Sequence, residues 1–226
     1  MEECLLSTIN IAIDGPAGAG KSTVAKAVAK EMGIVYLDTG AMYRAVALKA
    51  IQEGIDTLDE EKLSKMVSNI DIKISYSNNE QKIFLDGKDV SEDIRTPQAS
   101  IGASNVATIP AVRLKMVELQ RNFALNNSMV MDGRDIGTYV LPNADYKFFL
   151  TASVEERARR RYKEQIDKGI KNVSFQEILE DINYRDKNDS SRKFAPLKKA
   201  PDAIEIDTTN MSISDVVNKI LSIVRK

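Results

Sequence analysis

The 226-residue chain predicts an α/β fold, with a parallel sheet covered by helices on both faces and a small antiparallel β insertion. Three observations carry that prediction. A short apolar run, "IAID", leads directly into a glycine-rich turn and then a stretch with helical period. A second apolar run, "IVYLD", is followed at once by a second helical stretch. Near Ile70 the rhythm breaks: "IDIKISYSNNEQKIFLDGKDV" alternates apolar and polar residues and turns twice, which is antiparallel grammar.

Residues 9–14 read as a buried strand, and 22–32 as a helix with alanines and valines on its packed face. A strand at 34–38 precedes a helix over 39–52, with Thr39 suited to the N-cap. The insertion spans 56–95. Its strands carry Ile70, Ile72 and Ile74, then Ile83 and Leu85, with turns at Ser77-Asn78-Asn79 and at Asp86-Gly87. Two helices follow, before and after Pro110, a residue suited to a first helical position. "SMVMD" and "DYKFFLTAS" are strands. Stretches 154–168 and 175–188 are helical, the second capped by Ser174, and they form a charged helical pair. "AIEIDT" is the last strand, and 213–224 is a closing amphipathic helix.

Composition excludes several classes. The formal net charge is −1 and the pI is near 5.8, so no basic field points to nucleic acid or an anionic membrane. One cysteine, Cys4, and no histidine rule out a disulfide framework and make a structural zinc site implausible. The start "MEECLLSTIN" is acidic where a signal peptide is basic, and no apolar run approaches a membrane span. The expectation is a soluble, cytoplasmic protein.

The chemistry begins with Gly15-Pro16-Ala17-Gly18-Ala19-Gly20-Lys21-Ser22, the full phosphate-loop pattern placed after a strand and opening a helix. Glycines let backbone N–H groups converge on phosphate oxygens, and the helix N-terminus adds partial positive charge. Lys21 reaches the outer phosphates, and the Ser22 hydroxyl lies near the magnesium that accompanies the nucleotide. A GTP switch carries an Asn-Lys-x-Asp base reader; the nearest approach, "DKND" at 186–189, falls in a charged helix.

Three further clusters suit an anionic acceptor. "LDTGAMYR" places Thr39 and Gly40 at a helix start with Arg44 little more than a turn away. "MDGRDIGT" ends a strand in Asp132-Gly133-Arg134-Asp135, where open α/β sheets bind ligands. "EERARRRYKE" sets Arg157, Arg160 and Arg161 on one helical face, and "YRDKNDSSR" adds Arg185, Asp189 and Arg192. Phosphoryl transfer needs such positive charge around the moving group.

With these residues in place, the chain resembles the bacterial cytidylate kinases of the nucleoside monophosphate kinase group. The resemblance is carried by "IDGPAGAGKST", "LDTGAMYR", "LDGKDVSEDIRT", "MDGRDIGT", "FFLTASVEERARRR" and "RDKNDSSRKFAPLKKAPDAIEIDT", which span nearly the whole chain. It implies a five-stranded parallel P-loop kinase core over 1–55 and 96–226, a monophosphate subdomain over 56–95 and a helical lid over about 153–192. It implies transfer of the γ-phosphoryl of ATP, with Mg2+, to CMP or dCMP by a monomer that needs neither nucleic acid nor membrane. Residues 15–22 with Thr23 then hold ATP. Thr39, Arg44, Ser104, Arg113, Arg134, Asp135, Arg185, Asp189 and Arg192 hold the acceptor. Lys21, Arg157, Arg160, Arg161 and Arg192 serve transfer. Ser104 and Arg113 enter through the resemblance alone.

Two departures from the family pattern, Tyr139 and the asparagines of "ALNNSMVM", touch none of these residues. Within the pocket Asp135 is the expected reader of the cytosine amino group, with Asp132 as its rival. The competing functions are a kinase for another monophosphate and an ATP-binding regulator without turnover.

Overall fold

The computed structural model describes residues 8–77, 80–167, 169–170 and 174–225. Cys4, most of the N-terminal segment, Asn78, Asn79 and Lys168 lie outside the described residues. The chain runs β1 (Asn10–Asp14), α1 (Lys21–Met32), β2 (Val35–Asp38), α2 (Thr39–Gln52) and α3 (Glu60–Ser68). The insertion continues as β3 (Ile72–Ser77), β4 (Glu80–Leu85) and β5 (Lys88–Asp89). Then come α4 (Pro97–Val106), α5 (Pro110–Ala124), β6 (Met129–Gly133) and a π-helical turn, Ile136–Val140. Last are β7 (Tyr146–Thr151), α6 (Val154–Asp167), α7 (Phe175–Ser191), β8 (Ile204–Asp207) and α8 (Ile213–Val224).

The main sheet has the order β2-β6-β1-β7-β8, and every pairing in it is parallel. Its central strands read as continuous apolar runs because helices cover both faces. One face packs α1 and α8 through Val24, Val28, Val216 and Ile220 against Ile11, Ile13 and Phe148. Beside it, Val117 and Ala124 of α5 pack with Leu37, Met129 and Met131. Parallel register brings the carboxyl ends of neighbouring strands to one rim. There Asp132 lies beside both Ile13 and Asp38, and Asp14 lies beside Gly133.

The expected insertion is a three-stranded antiparallel sheet, β3-β4-β5, preceded by α3. Asp86 and Gly87 make the second turn with positive φ of 49° and 83°, the left-handed conformations that a two-residue hairpin requires. Ile72, Ile83 and Leu85 share one core with Met42 and Val46 of α2 and with Val112 and Met116 of α5. α2 is accordingly buried on more than one face.

Two sequence expectations need correction. The N-cap of α2 is Asp38, whose carboxylate accepts the Ala41 N–H. Thr39 is the first helical residue, and its hydroxyl is drawn to the Asp132 carbonyl across the strand ends (2.7 Å). α7 continues to Ser191 instead of stopping at 188, so that its last turn carries Asp189 into the interior. α6 and α7 share a small apolar cluster of Ala158, Ile178 and Ile182, and most of their remaining surface is charged.

Candidate active site

A cleft of about 790 Å³ opens along the carboxyl rim of the sheet and extends over α2, α4 and the α6–α7 pair. Residues 17–23 line one end of it. Gly15 has φ +147°, and a Cβ there would lie 2.0 Å from the Leu150 carbonyl oxygen. Only glycine fits so close a backbone approach. Gly20 closes the loop in the left-handed conformation and caps α1, which leaves the first N–H groups of that helix facing the cleft.

Lys21 is buried, and its ammonium donates to the Pro16 carbonyl at 2.7 Å. Burial, with the neighbouring Arg134 charge, lowers its pKa to about 7, against the opposing pull of Asp132 and Asp189. Anionic phosphates would restore its charge. The Ser22 hydroxyl donates to Asp132 Oδ2 at 2.8 Å, and the Tyr36 hydroxyl donates to Oδ1 at 2.9 Å. Burial and the Asp38 charge push the Asp132 carboxyl up to about 6.

These oxygens fit magnesium. Among the described residues no cluster of three or more His, Cys, Asp or Glu could cage a metal alone. A hydroxyl backed by a carboxylate suits an ion that arrives on nucleotide phosphates and keeps much of its water.

The other end of the cleft is built from α2, α4, α5, the β6 rim and α7. Arg44 donates to Asp38 Oδ2 at 2.8 Å. Burial would raise the Asp38 carboxyl, but Arg44, the Ala41 N–H and Lys26 together hold the group low. Arg113, on α5, is 1% exposed and donates to the Asp135 carboxylate. Its guanidinium is held between the rings of Tyr43 (5.7 Å) and Phe194 (5.9 Å). Arg192 reaches the other Asp135 oxygen at 3.4 Å, and Arg134 donates to Asp189 at 2.6 Å. Ser104 lines the same wall and accepts from the Asn188 amide at 3.3 Å.

Arg185 also lines the cleft. Its Nε is buried without a hydrogen-bond partner among the described residues. Burial and the nearby Arg134 lower its pKa to about 10. A crowded guanidinium with an unanswered donor is suited to an incoming anion.

The sequence-predicted residues therefore converge, with distinctions the sequence did not reveal. Asp132 faces the phosphate loop through Ser22, whereas Asp135 faces the opposite wall of the cleft through Arg113. The α6 arginines divide as well. Arg160 and Arg161 line the cleft; Arg160 is tied to Thr208 and Glu156, and Arg161 to Glu164. Arg157 is buried beneath them. It donates to the Ala17 carbonyl of the loop and the Ala152 carbonyl, and pairs with Asp186 on α7 at 2.7 Å.

Sequence reasoning missed Asp14, Tyr36 and Gln81. Gln81 accepts the Asp38 N–H at 2.7 Å and so ties the insertion to β2. No local pattern marks any of the three, because each acts across a strand pairing or a domain boundary.

Comparison with known proteins agrees with this geometry. The family model described as cytidylate kinase matches residues 11–226. The curated "Cytidylate kinase" of Pediococcus pentosaceus is 57% identical over 214 residues, covering 95% of this chain and 94% of that protein. The "Cytidylate kinase" of Bacillus subtilis is 51% identical over 218 residues, covering 96% of this chain and 97% of that protein. Among solved structures, shikimate kinase from Bacteroides thetaiotaomicron aligns over 97% of this chain and 100% of its own, with TM-score 0.51 and 12% identity. At that identity it speaks for the fold alone, a P-loop kinase. A family model spanning almost the whole chain, and relatives more than half identical over nearly all of it, place this chain in the cytidylate kinase family.

Proposed function

We propose that this chain transfers the γ-phosphoryl group of ATP in line to CMP or dCMP, giving the diphosphate and ADP. The observation that carries the acceptor choice is Asp135. It is a buried carboxylate held by Arg113 and Arg192 in the same cleft as the phosphate loop. Cytosine presents an amino donor at C4, and uracil presents a carbonyl there. A carboxylate accepts from the first and repels the second.

The acceptor phosphate oxygen is already anionic near neutral pH, so the reaction needs no general base. The chain must orient both nucleotides, spread charge relief and exclude water. The loop N–H groups and Lys21 hold the outer ATP phosphates. Magnesium, when bound, neutralises charge on those phosphates, and Ser22 would hold it with Asp132 behind. Thr39, Arg44, Arg134 and Arg192 take the acceptor phosphate. Arg185, with its unanswered donor, joins them, Asp189 holds Arg134 and Arg192 in place, and Ser104, Arg113 and Asp135 take the base. Arg160 and Arg161 close over the transferred group, while Arg157 braces the loop from below.

Residues 56–95 belong with the acceptor half. In support, Gln81 and Tyr76 hydrogen-bond the β2 backbone at Asp38 and Tyr36, and Gln81 lines the cleft. The test is a panel of CMP, dCMP, UMP and AMP in a coupled ADP assay. CMP and dCMP should dominate by kcat/KM. A preference for AMP or UMP makes this a kinase for another monophosphate. ATP binding with no acceptor-stimulated ADP release makes it a regulator.

A further inference from the structure

The π-helical turn that follows Asp135 lacks a local cap. Asp135 occupies its N-cap position with φ −148° and ψ 25°, yet its carboxylate turns away to Arg113 and makes no cap bond. The first two N–H groups of the turn are satisfied from 122 and 123 residues away: Asp14 Oδ1 accepts Ile136 N–H at 2.8 Å, and Oδ2 accepts Gly137 N–H at 2.7 Å. Asp14 is the last residue of β1, only 4% exposed, and immediately precedes the phosphate loop. The joint is also tight from the far side. A Cβ on Gly137 would lie 3.1 Å from the Lys147 side chain and 3.5 Å from Asp14 Oδ2.

A helix N-terminus needs an acceptor for its free N–H groups, and the N-cap side chain is the usual one. Here that side chain is committed to the acceptor pocket. We infer that Asp14 is a positioning residue for acceptor specificity: it caps the turn in place of Asp135 and so frees and aims the Asp135 carboxylate. The inference rests on the proposed role of Asp135 in reading the base. It also joins the two substrates mechanically, because one residue anchors the start of the donor loop and the turn behind the acceptor reader. π-helical turns are frequent at functional sites.

Asp14→Asn tests this. An asparagine keeps the shape but offers one carbonyl to two N–H donors and sets its NH2 against the other. The assay is run at pH 8, above the value of about 7 to which burial pushes the Asp14 carboxyl. The measured quantity is the CMP/UMP ratio of kcat/KM, beside Tm and the KM for ATP. A purely structural role lowers the active fraction equally for both acceptors and leaves the ratio fixed. The expected result is a fall in the ratio of about tenfold toward that of Asp135→Asn, the loss of one hydrogen bond to a charged group.

In the double variant the ratio should fall no further, since both changes act through one carboxylate. An unchanged ratio in Asp14→Asn, or independent multiplying effects in the double variant, overturns the inference while leaving the base-reading role intact. Should Asp14→Asn fail to fold, Asp14→Ser, which keeps one acceptor oxygen at the joint, is read in the same way. If Asp135→Asn lowers kcat/KM equally for CMP and UMP, the base-reading role fails and the cycle is read on the KM for CMP. If Asp135→Asn changes neither quantity, both readings fall.

Discussion

In the proposed reaction Lys21 is the residue on which ATP binding turns. Its ammonium occupies a buried site and holds the Pro16 carbonyl at 2.7 Å, an arrangement ready to be exchanged for phosphate oxygens. Lys21→Ala should lower kcat by roughly 10²–10³, the about 2.7–4 kcal/mol typical of one preorganised charge contact, with little change in CMP affinity. Steady-state kinetics in both substrates checks this, and near-normal turnover would remove the lysine from the reaction. The two rim carboxylates separate in the same assay. Removing the Asp135 side chain altogether would leave buried Arg113 without its principal counter-charge, so asparagine is the informative change. Asp135→Asn should cost CMP roughly ten- to a hundredfold in kcat/KM beyond any change for UMP, because the amide can donate to the uracil carbonyl. Asp132→Asn should harm both acceptors equally, since Asp132 bears on Ser22. The reverse pattern would exchange their roles. Much of this site was legible in the sequence, since the loop demands fixed residue types at fixed spacing and the "DGRD" charge stands at a strand end. Ser104, Arg113, Asp14 and Tyr36 were not readable from the residues. Each is a single polar group whose meaning lies in a partner tens of residues away.

Element boundaries follow from local chemistry where a side chain closes the helix. Ser212 and Asp215 form a reciprocal capping box at the start of α8, and α8 buries Val216, Ile220 and Leu221 against the sheet core. Ser212→Ala should cost about 1 kcal/mol of stability, measured by denaturant unfolding. The Asp215 carboxyl is held below its ordinary value by the Ser212 hydroxyl and N–H. A depressed carboxyl stabilises the fold above its unfolded pKa and loses that contribution as pH falls through the folded value. The penalty of Ser212→Ala should therefore be full at pH 6 and shrink below pH 4; a penalty independent of pH would show that Asp215 has no part in it. α8 was readable from its amphipathic period, whereas the same capping logic made the start of α7 readable from Ser174. It misled at α2, where two adjacent residues, Asp38 and Thr39, could each cap, and the Ala41 N–H went to the carboxylate. The hairpin strands were readable from their alternation. That their inner face completes the core of α2 and α5 was not, because period-two alternation shows that a face is buried and never against what.

At the scale of the whole molecule, α7 links the two ends of the cleft. Asp186 pairs with Arg157, whose Nη1 also holds the Ala17 carbonyl of the donor loop. One turn on, Asp189 pairs with Arg134 and Arg192 on the acceptor wall. The apolar contact beneath the helical pair is small, so these ion pairs do much to set where α7 sits over the cleft. In the proposed reaction water is the competing acceptor, and closure of α6 and α7 over both nucleotides would keep it out. Asp186→Asn, which keeps an oxygen toward buried Arg157, should loosen the attachment of α7 to the phosphate loop while leaving Asp189 and Arg192 in place. Arg157 stays buried with two carbonyl partners, so the fold should persist and the closed arrangement should lose population. A shift of about 1.4 kcal/mol corresponds to about tenfold in that population, and kcat for CMP should fall by a factor of that order. ADP released per CDP formed should rise at the same time, since a lid that closes less completely admits water to the γ-phosphoryl group. Both quantities come from one experiment that follows ADP and CDP together, with and without CMP. A fall in kcat with the ratio held at one ADP per CDP would mean that the pair governs speed but not water exclusion. No change in either would show that α7 is held over the cleft without Asp186, by Asp189, the apolar cluster and the hydrogen bonds of Tyr184 and Asn188 to α4.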